Sequence, residues 1–135
     1  YINQYYNKEW LEGGETVKTN IVTGEATYNF TATRSIRFEA EHMWADADKK
    51  NWAGATVEFN FNDKLSLYAW DIYNYGNDNE DDRTHYYNFG GAYRIGATRI
   101  AANYGRQRGG LVCVGGVCRF VPESTGFTLS LSTAF

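Results

Sequence analysis

Residues 98–135 read TRIAANYGRQRGGLVCVGGVCRFVPESTGFTLSLSTAF, and this stretch decides the fold. A two-residue turn at Gly115-Gly116 supplies the positive φ that both central positions of a type I′ turn need. The pairing then has no free choice. Val114 faces Val117, Cys113 faces Cys118 and Arg108 faces Glu123. Further down, Tyr104 meets Phe127, Ala102 meets Leu129 and Ile100 meets Leu131, while the other face pairs Asn103 with Thr128, Ala101 with Ser130 and Arg99 with Ser132. One register sets apolar against apolar and polar against polar, the condition for a well-specified strand pair.

Two details support that register. The pair flanking a two-residue turn is hydrogen-bonded, so Cys113 and Cys118 form the next, closer pair, within the range a disulfide accepts. Pro122 opposite Gly109 falls on another non-hydrogen-bonded site, where its missing N–H costs nothing. Each arm has about 17 residues, roughly 55 Å of strand, whereas a tilted strand crosses a bilayer in about 9–11 residues. The alternation is confined to the half that holds Phe135, and the other half is rich in Gly and Arg. The hairpin is expected to stand half in a membrane and half outside it.

Composition points the same way. Aromatic residues make up 17% of the chain, with 11 Tyr and a single Pro, a balance that suits strands. No apolar run approaches the roughly 20 residues of a membrane helix, so a chain that spans lipid must do so as a closed barrel. A net charge of −3 excludes the basic face that a nucleic-acid partner requires. A bonded Cys113–Cys118 pair implies an oxidising compartment. The small ring contributes about 2 kcal/mol and shapes a tip rather than holding the fold. Two thiols without a nearby His make a poor metal site, and no metal or other cofactor is expected. The chain opens on Tyr1-Ile2-Asn3-Gln4-Tyr5-Tyr6, strand-like from the start without Met or leader, as in a fragment or a processed protein.

The remaining chain alternates between strand patterns and turns. Residues 1–8 fit the end of a strand, and Glu9–Glu15 form a polar loop. Strands are expected at 19–32 and 36–44, joined by Thr33-Arg34-Ser35, which sets Phe30 opposite Phe38 and Tyr28 opposite Ala40. A polar loop at 46–51 leads into a strand through Ala53, Ala55, Val57, Phe59 and Phe61. The tight turn Asn62-Asp63-Lys64 opens a strand at 65–75, where Asp71 falls on the apolar side and a bulge is expected to move it off. An acidic loop at 76–83 precedes a strand at 85–95, and Gly96-Ala97 sets Tyr93 against Ile100 and Phe89 against Tyr104.

Connections therefore alternate between short and long, as in outer-membrane barrels with short periplasmic turns and long outer loops. Aromatics at the strand ends suit interfacial girdles: Trp44, Trp52, Tyr73, Tyr104 and Phe127 on one rim; Phe30, Phe38, Phe61, Tyr93 and Phe135 on the other. A soluble barrel of the lipocalin or streptavidin type shows the same alternation with its apolar face turned inward. The reading adopted is all-β, an antiparallel transmembrane β-barrel of which seven or eight strands are present.

The string Asn103-Tyr104-Gly105-Arg106-Gln107-Arg108-Gly109-Gly110-Leu111-Val112-Cys113-Val114-Gly115-Gly116-Val117-Cys118-Arg119-Phe120-Val121-Pro122 resembles the C-terminal end of a Bacteroidetes outer-membrane protein family of unknown function. The resemblance extends to Gly13-Gly14-Glu15-Thr16-Val17-Lys18, Trp52-Ala53, Tyr73-Asn74-Tyr75-Gly76-Asn77-Asp78 and His85-Tyr86-Tyr87. Members are several times longer, which implies that these residues are the last strands of one larger barrel domain. The resemblance implies location and architecture and carries no catalytic residue.

Candidate functional residues follow from that architecture. Arg37, Glu39, Glu41, Glu58, Arg94 and Arg99 alternate with the apolar face and are expected to line a wet lumen, as a structural ladder or a selectivity constriction. The wall at Gly90, Ala92, Ala101, Asn103, Thr128, Ser130 and Ser132 is small and smooth. Arg106, Arg108, Arg119 and Glu123 on the projecting hairpin are candidate partner-binding groups for lipopolysaccharide or another outer-membrane protein, with ion pairing among themselves as the alternative. The acidic stretch 77–82 lacks the Gly and distal Glu of a calcium loop. His42 is expected to face lipid headgroups and His85 a loop edge, and no Ser or Cys is spaced to use either as a base, so no enzyme is expected. The leading expectation is a porin-like or transport channel, the alternative a non-conducting scaffold that docks partners on its outer hairpin.

Overall fold

The computed structural model describes residues 2–7, 16–46, 49–114 and 117–134, with side chains described for 18–46, 49–110 and 120–134. The Gly115-Gly116 turn, most of the loop before residue 16, and Phe135 lie outside the described residues. The strands are β1 (Ile2–Asn7), β2 (Thr16–Asn29), β3 (Ser35–Ala45), β4 (Trp52–Asn60), β5 (Leu65–Tyr73), β6 (His85–Ile95), β7 (Thr98–Gln107), β8 (Gly110–Val114), β9 (Val117–Val121) and β10 (Ser124–Thr133). The fold is all-β: eight strands form one antiparallel sheet in the order β1-β2-β3-β4-β5-β6-β7-β10, and β8 pairs with β9 as a separate ribbon. The sheet is open, β1 and β10 each having one neighbour among the described residues. No helix of the described chain is long and apolar enough to cross a membrane.

The C-terminal register is the expected one. Phe127 pairs with Tyr104, Leu131 with Ile100, and Cys113 with Cys118. The ladder is interrupted, however, at Arg108-Gly109 and Pro122-Glu123, so β8–β9 is set off from β7–β10 instead of continuing it. Gly110 takes a φ of +143° at the start of β8.

Two expected details are corrected. Between β2 and β3, Tyr28 pairs with Ile36 and Ala26 with Phe38, four residues in summed register from the Phe30–Phe38 pairing. The cause is the turn, which spans 30–34. Thr31 Oγ1 accepts hydrogen bonds from the N–H groups of Thr33 and Arg34 (3.4 and 3.1 Å), while Phe30 N–H donates to the Arg34 carbonyl. An even shift preserves the face of every side chain. The expected bulge in β5 is absent: β4 and β5 pair without a break from Ala53–Tyr73 to Asn60–Ser66. Asp71 stays on the apolar side and bonds His85, Nδ1 to Oδ2 at 2.8 Å. The other short turns are as expected. Asn62 Oδ1 accepts from the Lys64 and Leu65 N–H groups, and Gly96 adopts a φ of +58°.

The register joins side chains into rungs that run across the sheet. One reads Ala26–Phe38–Val57–Ala69–Phe89–Tyr104–Phe127, its neighbour Thr27–Arg37–Glu58–Tyr68–Gly90–Asn103–Thr128. One face is thus apolar and the other polar. The apolar face is the exposed one: Phe89 is 53% and Leu129 66% exposed, whereas Trp52 and Tyr86 on the polar face are 7% and 6% exposed. A water-soluble sheet has the opposite arrangement. The strands also crowd on the polar side. A methyl group at Gly90 would sit 2.5 Å from the Ala102 carbonyl oxygen, and one at Gly105 2.3 Å from that of Tyr87. Glycine permits this close approach, and such positions mark where a sheet bends.

Candidate functional site

At the long-loop end, the polar face changes character. The rungs Ile21–Met43–Trp52 and Glu41–Gly54–Ile72–Tyr86 bring large apolar side chains together on strands whose remaining inward residues are polar. With Trp70 they surround a cavity of about 250 Å³. Only Trp70 and Ile72 share a strand, β5, and the five-strand register converges them with the others.

The two arginines at the end of β7 close over this cluster. The β6–β7 ladder stops at Asn88–Gly105, while β7 stays paired with β10 as far as Gln107. Arg106 binds the Glu123 carboxylate through Nε (2.8 Å) and Nη2, and its guanidinium lies 5.7 Å from the Tyr86 ring centre. Tyr86 Oη donates to the same carboxylate at 3.0 Å. These bonds, Arg106 first, hold the Glu123 carboxyl below the usual carboxylate range, against a smaller upward push from burial. Arg108, expected to face Glu123, instead lies over Trp52 at 4.8 Å from the ring centre. Trp52 in turn stacks on Tyr86 at 6.1 Å. Trp52 is therefore no rim aromatic of the apolar face; its even position in β4 places it opposite Met43 on the polar one.

The loops above are knitted by Asn74, which is 1% exposed. Its Nδ2 donates to the carbonyls of Lys49 (2.6 Å) and Asn51 (3.1 Å), its N–H donates to the Thr84 carbonyl, and its Oδ1 accepts from Asn77 Nδ2. The sequence reading had quoted Asn74 without assigning it a role. The acidic stretch below it forms a short 3-10 turn at Glu80–Asp82, capped by Asn79 and tied down by the ion pairs Lys50–Asp78 (2.5 Å) and Glu80–Arg83 (3.3 Å). Among the described residues no cluster is arranged to hold a metal ion.

The expected charged residues all share the polar face, in three different situations. Arg37 binds Glu25, Glu39 and Glu58 at 3.2, 3.1 and 3.3 Å. Glu25 was missed because its pairing depends on the shifted β2–β3 register. Glu41 has no ionic or hydrogen-bonding partner among the described residues, since Thr23 and Gly54 stand on either side of it. Arg94 and Arg99 face one another across β6 and β7, also without a carboxylate partner among the described residues. The Cys113, Cys118 and Arg119 side chains lie outside the described residues, although their backbones pair as expected. His42, on the apolar face, contacts Tyr75 Oη at 2.5 Å and packs 4.1 Å from Trp44. His85 stacks on Tyr73 at 4.0 Å.

A model of the family of unknown function DUF6029 matches residues 1–135. No curated protein and no solved structure matches the chain.

Proposed function

The chain belongs to the family of unknown function DUF6029, and from its geometry we propose that it forms the wall of an outer-membrane β-barrel with a polar lumen, a porin-like or transport channel. The observation that carries this reading is the inverted sheet: the apolar face is exposed, while the most enclosed aromatic side chains, Trp52 and Tyr86, lie on the polar one. Lipid tails satisfy the first and water the second, an arrangement that costs least in a membrane-spanning wall. The two free edges, on β1 and β10, need further strands to close, because hydrocarbon leaves unpaired backbone groups unsatisfied. The short turns at 30–34, 61–64 and 96–97 then lie at the periplasmic rim and the long connections outside, with lipid and lipopolysaccharide against the apolar belt.

A second reading, a non-conducting scaffold, draws on the β8–β9 ribbon, whose Phe120 is 75% exposed beyond the wall. Single-channel recording in a planar bilayer separates the two. The channel reading expects discrete, reproducible conductance steps from the purified full-length protein. A silent bilayer, with a second protein bound in constant ratio in the native mass spectrum, would replace it with the scaffold.

A further inference from the structure

The cavity at the long-loop end is lined by two opposite charges, neither of which is in an ion pair among the described residues. Glu41 is half-buried and unpartnered among the described residues, and Arg37, on the same strand and face, is held by three other carboxylates. Its side chain lies flat across Gly54, 2.9 Å from where a Cβ would stand, so the missing side chain of Gly54 leaves the carboxylate open to the cavity. Arg108 has lost its expected partner to Arg106, and its described contact is the face of Trp52. Both charges line the same cavity, with Met43, Trp70 and Ile72 between them.

The occupant can be narrowed by exclusion. A simple cation is attracted by Glu41 and the aromatic faces but repelled by Arg108. A simple anion meets the reverse. A neutral sugar stacks on the rings yet leaves the half-buried Glu41 without a counter-charge and makes no use of the exposed Arg108. At about 250 Å³ the cavity is smaller than common drug-sized pockets and suits a single small molecule.

We propose that this cavity binds a small zwitterion with an apolar body, a free amino acid in size and chemistry. Its ammonium pairs with Glu41, its carboxylate with Arg108, and its side chain packs on the indole and aliphatic lining. The site lies within one wall and does not require the barrel to conduct, so its failure and the failure of the channel reading are separate results.

The test is calorimetric titration of the detergent-extracted, full-length protein with four probes: L-phenylalanine, its N-acetyl derivative, its amide, and glucose. Phenylalanine is expected to bind saturably. Removing either of its charges weakens binding about tenfold or more, as loss of a charge-assisted hydrogen bond implies. Glu41→Gln should weaken phenylalanine equally while leaving the N-acetyl derivative unaffected, and Arg108→Gln should do the same for the amide. The probe series is run on the unaltered protein, so a variant that fails to fold does not shield the proposal. Absence of phenylalanine binding, comparable binding of all four probes, preference for glucose, or dependence on only one of the two charges would each overturn it.

Discussion

Arg106 and Arg108 stand two positions apart and have different partners: Arg106, still within β7, binds Glu123, whereas Arg108, beyond its end, lies over Trp52. Glu123 is the hinge of this arrangement. Its folded-state pKa is depressed, so its stabilising effect is full above the ordinary carboxylate range, about pH 4, and is lost as pH falls through the lowered value. With side chains 37% and 40% exposed, the Arg106–Glu123 pair contributes no more than about 1 kcal/mol. Hydrogen exchange at the base of the β8–β9 ribbon should therefore rise modestly below about pH 4, and Glu123→Gln should show the faster exchange at neutral pH. Asn74 is the more consequential polar residue. Asn74→Ala removes two donated bonds and one accepted bond from a buried site, leaving the Lys49 carbonyl to find a new partner while the Asn51 carbonyl keeps the Gly76 N–H. A loss of about 2 kcal/mol in urea-induced unfolding is expected, with the 46–51 and 74–84 connections becoming protease-sensitive.

At the scale of elements, the sequence made the last hairpin legible because its pairing was constrained twice, by the turn and by alternation. The same signal placed β6, β7 and their Gly96 turn correctly. It misled at β2–β3, where a Thr31-based turn has no strong signature and an even slip leaves the hydrophobic pattern unchanged. The expected bulge at Asp71 failed for another reason. A carboxylate on an apolar face was treated as an error of register, whereas a neighbouring strand supplies His85 as its partner. The Trp52 cavity was illegible strand by strand, since its lining comes from five strands, each giving only one or two large apolar residues to a polar face. Glycine at β6–β7 yields a test of the bend. Gly105→Val drives a side chain into the Tyr87 carbonyl and Asn88, and should cost on the order of 2 kcal/mol in unfolding or slow membrane assembly. Gly24→Val, where nothing lies within 4 Å of the added Cβ, should not.

Across the whole molecule, the two faces of the sheet make opposite demands on the solvent. Leu129 and Ser130 are neighbours in β10 that point to different faces. Leu129→Arg should cost about 2–4 kcal/mol if its side chain meets the bilayer midplane, while Ser130→Arg should be nearly neutral in folding. The most direct measurement is the accessibility of nitroxide labels at Phe89, Leu129, Asn103 and Ser130 in the native membrane. Labels at Phe89 and Leu129 should be relaxed by oxygen, which partitions into lipid, and those at Asn103 and Ser130 by a water-soluble nickel complex. The reverse pattern, or water access to all four positions, would contradict a membrane-spanning wall with a polar interior.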